Sequence, residues 1–305
     1  MRANLMLLLT AFIWGLAFVA QDVAAGSVGP FTFNGLRMGL AALAILPVTA
    51  AMNARAARGK ADGLVWKDMT PAQRRELFVG GACCGLMLAL GSVLQQLGIT
   101  LGTGAGKAGF ITALYIVLVP LLGLLWKKRV GALTWIAVVL AALGLYFLCV
   151  TSGLALEAGD GALILSAGCY AGHILVVDHF SRRTDCVKMS AIQFATTSAL
   201  CLVGAALLEH PAWQDVRACA VPLLYAGVMS GAMGYTLQIL AQRDAEPTVA
   251  SLLMSLESVF AVLAGWVLLG DALSARELLG CGLMMGGIVL AQLPSRAPAD
   301  CGETI

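Results

Sequence analysis

Long, nearly uninterrupted apolar runs recur along the whole 305-residue chain. A membrane-spanning helix needs about 20 mostly apolar residues, and the chain divides into ten such runs separated by glycine, proline or charged residues. The predicted spans are residues 4–22, 31–51, 77–98, 106–126, 131–150, 160–179, 187–208, 218–241, 247–269 and 275–293. The runs are continuous and do not alternate, which disfavours a β-barrel. The sequence therefore predicts an all-α integral membrane protein with ten transmembrane helices.

The composition narrows the classes of function. AVILMFWYC residues make up 60% of the chain and DEKR residues 12%, whereas soluble domains have roughly 45–50% apolar and 25% charged residues. The formal net charge of +2 leaves no basic surface for a nucleic acid. The nine cysteines form no Cys-x-x-Cys pair. We therefore predict no disulfide framework, no metal site and no cofactor.

Lysine and arginine residues are distributed unevenly among the predicted loops. With a cytoplasmic N-terminus, fifteen of the 19 lie in cytoplasmic segments and three lie outside, namely Lys107, Arg217 and Arg276. Arg37 lies within span 2, and Lys107 is near enough to the outer end of span 4 to snorkel toward the interface. The positive-inside bias predicts a multi-pass protein of the plasma (inner) membrane with both termini cytoplasmic.

The chain also contains an internal repeat. A shift of 156 residues places Leu9–Asp22 on Leu165–Asp178 without a gap, and a shift of 143 residues pairs Gln95 with Gln238. With five spans in each half, the halves are inverted in the membrane. This match favours a retained first helix over the alternative, a cleaved signal peptide. We predict repeats at 1–152 and 153–295 and a cytoplasmic tail at 296–305.

Five stretches carry a resemblance to a known family. They are LTAFIWGLAFVAQ, GKAGFITALYIVLVPLLGLL, HILVVDHFSRR, TVASLLMSLESVFAVLAGWVLLGDALS and ELLGCGLMMGGIVLA. Together they resemble EamA-type, ten-helix members of the drug/metabolite transporter superfamily. The resemblance implies a central cavity enclosed by helices 1 to 4 and 6 to 9, with helices 5 and 10 at the edge. It implies no particular substrate. Many relatives have proline where this chain has Ser258, so we expect helix 9 to be less bent.

Glycine and proline indicate how the helices pack. Glycines four residues apart let two backbones approach closely. Such pairs are Gly35 and Gly39, Gly81 and Gly85, Gly168 and Gly172, Gly227 and Gly231, and Gly282 and Gly286. Pro120 is expected to kink helix 4 just past its midpoint.

Two charged residues inside spans are candidates for proton coupling. An ionisable side chain at bilayer depth costs at least about 2.5–3.5 kcal/mol, so it normally faces a cavity or a partner. Glu257 is the only carboxylate near the centre of a span, and it either exchanges a proton during transport or is a structural carboxyl. Arg37 either pairs with Glu257, binds a substrate carboxylate through its planar fork, or is structural.

Aromatic and imidazole side chains near span centres are candidate substrate-binding residues. Trp14, Tyr115 and Tyr170 lie away from the interfacial belts, which favours an aromatic cavity lining, although large aromatics also fill ordinary helix contacts. His173 lies deep in span 6. Histidine ordinarily titrates near neutral pH, but a lone helical histidine is more often a plain hydrogen-bonding residue.

Matched amides complete the candidate site. Gln95 and Gln238 occupy equivalent repeat positions, and Tyr235 lies three residues before Gln238 on the same helix face. These groups either bind a small polar solute or join helices, which is worth about 0.6 kcal/mol on average in membranes. Asp22 and Asp178 lie at span ends and are candidates for a gate or for simple helix-end carboxylates.

Inverted five-helix repeats are a common construction of secondary transporters. We therefore expect a carrier that moves a small organic metabolite or drug by alternating access, coupled to protons and directed outward, although no sequence feature separates an antiporter from a uniporter. The alternative is an intramembrane enzyme acting on a lipid-linked substrate. An enzyme should have a catalytic cluster, and the sequence shows none. We therefore predict that the protein is not an enzyme. The expected partners are the bilayer, protons and a small solute. The candidate residues favour a zwitterion or a neutral heteroaromatic solute over a polyanion. The expected assembly is a monomer or a weak homodimer.

Overall fold

The computed structural model describes residues 1–58, 66–103, 105–125, 130–150, 158–264, 266–267 and 274–293, and these residues form helices and turns. The predicted boundary between the repeats at residues 152 and 153, and the predicted tail at 296–305, lie outside the described residues.

Ten helices correspond to the ten predicted spans. In the first half these are α1 (Arg2–Ala25), α2 (Pro30–Ala57), α3 (Pro71–Thr100), α4 (Ala105–Ala113 and Tyr115–Leu125) and α5 (Ala132–Cys149). In the second half they are α6 (Asp160–Ser181), α7 (Cys186–Leu208), α8 (Ala220–Leu224, the π-helical Tyr225–Tyr235, and Thr236–Gln242), α9 (Pro247–Met254 and Glu257–Ala264) and α10 (Ala275–Gln292). Seven of the described helices are long and apolar enough to cross a membrane, and α5 and α9 are shorter apolar helices. The predicted all-α membrane fold is confirmed.

Side-chain caps fix where several helices begin. Thr70 and Gln73 form a capping box at the start of α3, and Ser274 with Glu277 forms another at the start of α10. The N-terminus of α2 is capped from the other half of the chain, because Glu209 accepts hydrogen bonds from two backbone amides there, at 2.7 and 2.8 Å. A carboxylate is favourable at this position because the helix dipole is positive at its N-terminus.

The helices pack in pairs that repeat between the two halves. Helix α6 packs against α3 and α4, and its counterpart α1 packs against α8 and α9. The pair of α3 with α7 likewise has the equivalent pair of α8 with α2. The remaining major pairs are α2 with α7, α4 with α9, and α5 with α10, and each of these three joins a helix to its own counterpart. A two-fold pseudosymmetry relating the inverted halves produces this set of contacts. The structure therefore has the predicted inverted-repeat architecture.

One hydrogen bond occurs twice at positions related by the repeat. The Ser166 hydroxyl donates to the Gly91 carbonyl at 2.7 Å, and the Thr10 hydroxyl donates to the Gly234 carbonyl at 3.3 Å. The shift of 156 residues relates the two hydroxyls, and the shift of 143 relates the two glycines. The two halves therefore conserve individual side-chain contacts as well as helix order.

Only some of the predicted glycine pairs lie where two helices approach each other closely. The pairs at residues 35 and 39, 81 and 85, and 227 and 231 face neighbouring helices closely. In α10, however, a Cβ added at Gly282 or Gly286 would meet nothing within 4 Å, so the expected role of this pair is wrong. Helix α10 instead approaches α5 at Gly280 and Gly287, because its rotation about its own axis turns those residues toward α5.

The fourth helix of each half is interrupted at cavity depth. Helix α4 breaks at Leu114, six residues before Pro120. Helix α9 breaks after Met254 although it lacks the proline. The hydroxyl of Ser255 donates to the Leu252 carbonyl at 2.8 Å. Such side-chain bonds compete with the helical ladder and bend helices, and the backbone bond from Ser258 to Ser255 closes a tighter turn at 3.2 Å.

Substituting Gly280 with Ala is expected to destabilise the fold, because the new Cβ would lie 2.7 Å from the Gly144 carbonyl oxygen and the Leu148 amide nitrogen. Overpacking of this kind costs about 1–3 kcal/mol. The control is Gly282→Ala on the same helix, where space is open. Melting in detergent should show a lower Tm for Gly280→Ala only. Equal melting temperatures for both variants would contradict the assigned α5–α10 contact.

Candidate functional site

A cavity lies between the two halves, with about 500 Å³ of space free of protein atoms when the part open to solvent is included. Helices α1, α2, α3, α4, α6, α8 and α9 contribute to its wall. All predicted binding and proton-coupling residues line it, namely Trp14, Arg37, Gln95, Tyr115, Tyr170, His173, Tyr235, Gln238 and Glu257. Seven further lining residues were not among the candidates: Ala17, Phe18, Gln21, Thr112, Ile174, Ser230 and Met254. Of these, only Gln21, Thr112 and Ser230 carry a polar signal within an apolar span.

Aromatic rings form one wall of the cavity. The rings of Trp14 and Tyr235 are 4.7 Å apart, and those of His173 and Tyr235 meet edge to face at 5.9 Å. The indole nitrogen of Trp14 donates to the Ser230 carbonyl at 3.2 Å. The absence of a side chain at Gly234 makes room for the indole, since a Cβ there would lie 2.6 Å from its nitrogen. The wall is therefore positioned from both halves.

The matched amides differ in their bonding. The side chain of Gln95 donates to the Thr112 hydroxyl and accepts from the Tyr170 hydroxyl, each at 3.3 Å. The side chain of Gln238 donates to Gln242 at 2.9 Å, but its own oxygen has no partner among the described residues. The first amide is thus engaged at both ends, whereas the second is engaged only through its nitrogen.

His173 is buried, and its Nε2 lies 2.9 Å from the side-chain oxygen of Gln193 on α7. This bond joins α6 to α7 and fixes the imidazole against the ring of Tyr235. The arrangement accounts for the histidine as a hydrogen-bonding residue of the cavity wall.

Glu257 is buried at the point where α9 resumes after its break. Its Oε1 accepts a hydrogen bond from the Tyr115 hydroxyl at 3.1 Å, and Tyr115 is the residue at which α4 resumes. The two interrupted helices are therefore joined across the halves by a carboxyl group that faces the cavity. The small residue Gly15 on α1 allows close approach to this segment, because a Cβ there would lie 2.7 Å from the Glu257 carbonyl oxygen.

Arg37 enters the same cavity from α2 and is only 2% exposed. Its guanidinium lies over the Phe33 ring, with Cζ 5.4 Å from the ring centroid. Among the described residues, no carboxylate oxygen lies within 4 Å of it, and its Nε has no hydrogen-bond partner. The structure thus brings Arg37 and Glu257 to one cavity without the ion pair that the sequence allowed.

The two gate candidates lie outside this cavity. Asp22 is exposed near the end of α1. Asp178 is buried near the end of α6, where it pairs with Arg182 one turn later at 3.3 Å, and it lines a separate pocket with Arg183 and Glu246. Helix ends position both carboxylates, and neither contributes to the cavity wall.

An ion pair that sequence reasoning missed joins the halves beyond the cavity. Nζ of Lys107 at the start of α4 lies 2.8 Å from a carboxylate oxygen of Asp160 at the start of α6, and their side chains are only 13% and 6% exposed. The hydroxyl of Thr103 donates to the same carboxylate at 3.4 Å. Lys107 is therefore an inward-facing partner and not a snorkelling side chain. The positions related to this pair by the repeat are Ala250 and Asn4, which cannot form an ion pair.

Comparison with known proteins gives consistent matches over the whole chain. A model of the EamA-like transporter family matches residues 1–150 and 157–293. The chain is 27% identical to an uncharacterized transporter of Archaeoglobus fulgidus, covering 95% of this chain and 86% of that protein. It is 26% identical to the uncharacterized transporter YwfM of Bacillus subtilis, covering 96% and 94%. One crystal structure is similar with a TM-score of 0.77 and 19% identity, covering 96% and 97% of the two chains, which shows the fold alone.

Breaking the Lys107–Asp160 pair is expected to destabilise the protein, because either remaining charge would be buried without its partner. Removing one member of a buried pair costs about 3–5 kcal/mol. Melting in detergent should show large losses for Lys107→Met and Asp160→Asn, and the double variant should lose less than their sum. The exposed pair of Arg183 and Glu76 is the control, since such pairs contribute about 1 kcal/mol or less. Strictly additive losses would contradict a direct pair.

Proposed function

Because the chain belongs to the EamA-like transporter family, and so to the drug/metabolite transporters, we propose that it is a secondary carrier of a small organic metabolite or drug. It works by alternating access and couples outward transport to protons. The proposed setting is the plasma (inner) membrane, with both termini in the cytoplasm. The functional unit is a monomer or a weak homodimer.

The observation that carries this proposal is that both halves build the cavity in which the candidate residues lie. Inverted repeats that share one site can expose it alternately by rocking against each other. The moving units would be the five-helix repeats at 1–152 and 153–295. The Glu257–Tyr115 contact and the aromatic wall cross between these units, so relative motion of the halves would change the cavity directly.

The two ends of the molecule are held by different interactions, which supports alternating access. Lys107 and Asp160 tie α4 to α6 at one end. The repeat-related residues at the other end, Ala250 and Asn4, have no charges to form the same tie. With the N-terminus cytoplasmic, the tied end is the extracellular one. The ion pair therefore acts as a closure of the extracellular side in this conformation.

Glu257 is the proposed proton carrier. It is the one carboxyl residue among those that line the cavity, and no cation lies within 4 Å of it in the part of the chain that the structure describes. A buried carboxylate without a cation is costly, and taking up a proton removes its charge. Solute binding or motion of α9 that changes the surroundings of Glu257 would therefore be linked to uptake or release of a proton.

Replacing Glu257 with Gln is expected to abolish proton movement that accompanies transport, because the amide keeps the side-chain shape but cannot exchange a proton. The measurement uses protein in liposomes with a trapped pH dye, challenged with separate pools of amino acids, nucleosides and cationic drugs. A pool that moves protons with the wild type, and not with the variant, identifies a coupled solute class.

The matched control is Glu76→Gln, a carboxyl on α3 that pairs with Arg183 away from the cavity. This variant should retain wild-type proton movement. If Glu257→Gln retains it as well, Glu257 is a structural carboxyl. If no pool moves protons but a labelled solute equilibrates, the carrier is a uniporter or exchanger and the proposed coupling is wrong.

The proposed orientation predicts that both chain ends face the cytoplasm. Fusions of a fluorescent protein that folds only in the cytoplasm should therefore be fluorescent at either terminus, whereas alkaline phosphatase fused at either terminus should be inactive. The control is a phosphatase fusion within the segment between α7 and α8, near Arg217, which should be active. Active phosphatase at both termini would reverse the assigned orientation.

A further inference from the structure

The cavity contains a buried positive charge without a buried negative partner beside it. Arg37 is the bulkiest of the fully buried side chains of the described structure. Its contact with Phe33, one helical turn earlier on α2, places the guanidinium over an aromatic face. Such a cation–π contact offsets only part of the cost of burying a charge. The remaining hydrogen-bonding capacity of the guanidinium calls for an anion.

The internal repeat shows which partner Arg37 lacks on the cavity side. Under the shift of 156 residues, Arg37 corresponds to Gln193 and Ala17 corresponds to His173. In the second half, Nε2 of His173 donates to the side-chain oxygen of Gln193 at 2.9 Å. In the first half, the histidine is replaced by Ala17, which also lines the cavity and whose methyl group forms no hydrogen bond. The side-chain partner that the second half supplies at this position is therefore missing beside Arg37.

Glu257 does not fill this role. Its carboxyl accepts from Tyr115 at 3.1 Å, and no oxygen of it lies within 4 Å of the guanidinium nitrogens. A planar guanidinium forms its strongest contacts with a carboxylate, through two parallel hydrogen bonds. The rings of Trp14 and Tyr235 line the same cavity and suit an aromatic body attached to that carboxylate.

We propose that Arg37 is the substrate-binding residue that holds a carboxylate, and that the solute is a small aromatic monocarboxylate. The proposal rests on the carrier function proposed above and names its substrate class. A neutral heteroaromatic molecule would leave Arg37 without an anion, so it fits less well. A dicarboxylate would place its second charge near Glu257, in a cavity whose lining contains a single cation.

The test compares three probes that share a phenyl ring: 3-phenylpropionate, phenylalanine and phenethylamine. Binding is measured as the rise in melting temperature of the full-length protein in detergent, over a range of concentrations. Wild type should bind both carboxylates and should bind phenethylamine at least tenfold more weakly, because hydrogen bonds to charged groups are each worth about a factor of ten or more. Phenylalanine binding more tightly than 3-phenylpropionate would show that the ammonium is recognised in addition.

The variant Arg37→Gln should weaken binding of both carboxylates at least tenfold and leave phenethylamine unchanged, and Arg37→Lys should recover part of the loss. Arg276→Gln is the matched control, since Arg276 also lies over aromatic rings but outside the cavity. The comparison of probes on wild-type protein stands even if Arg37→Gln does not fold.

Two results overturn the assignment: phenethylamine binding as tightly as the carboxylates, or no binding of any carboxylate at millimolar concentration. Counterflow in liposomes separates this failure from failure of the carrier function. A labelled solute that exchanges while the carboxylates do not bind would remove only the role of Arg37. No exchange of any solute pool would remove the carrier function itself.

Discussion

The fold depends on one constraint, that polar groups at bilayer depth must find partners within the protein. The outer surface carries side chains such as Leu125 and Val221, each 77% exposed, while Arg37 and Glu257 are almost completely buried. This is the reverse of a water-soluble protein, in which charges face the solvent. Because lipid offers no hydrogen bonds, the helices join through hydroxyl-to-carbonyl bonds and close glycine contacts, and the charged groups collect around the cavity between the halves.

The same constraint explains how much of the fold the sequence could predict. Lipid requires long apolar runs and a charge bias between the loops, so ten spans and the inversion of the halves can be predicted from where the apolar and the charged residues lie along the sequence. Polar residues within those runs have few acceptable positions, which is why Gln95, Glu257 and the other candidates for substrate binding and proton coupling all line one cavity. Hydropathy therefore predicted the location of the site, although not the partners of its residues.

The neighbours that a side chain meets depend on the rotation of its helix and on its depth in the membrane. The apolar pattern of the sequence specifies both poorly. Lys107 and Asp160 lie far apart in sequence, so their contact is not visible in the sequence pattern. The position of Lys107 near a span end therefore predicted a snorkelling side chain. Glycines of α10 were assigned by spacing, yet the helix turns Gly280 and not Gly282 toward α5. The break in α9 arises from serine hydroxyls bonding to backbone carbonyls, a competition that no proline signals. The errors at Lys107 and in α10 concern which neighbour a residue meets, and not whether it lies in a helix.

The differences between the repeats matter as much as their similarity. Two chemically identical inverted halves would present the same surroundings to a solute from either side, and neither orientation would be favoured. Here the helix pairs and the hydroxyl-to-glycine bonds repeat, but Arg37 corresponds to Gln193 and Lys107 corresponds to Ala250. The shared backbone allows the halves to exchange roles during a cycle, while the unmatched charges give the two directions different energies.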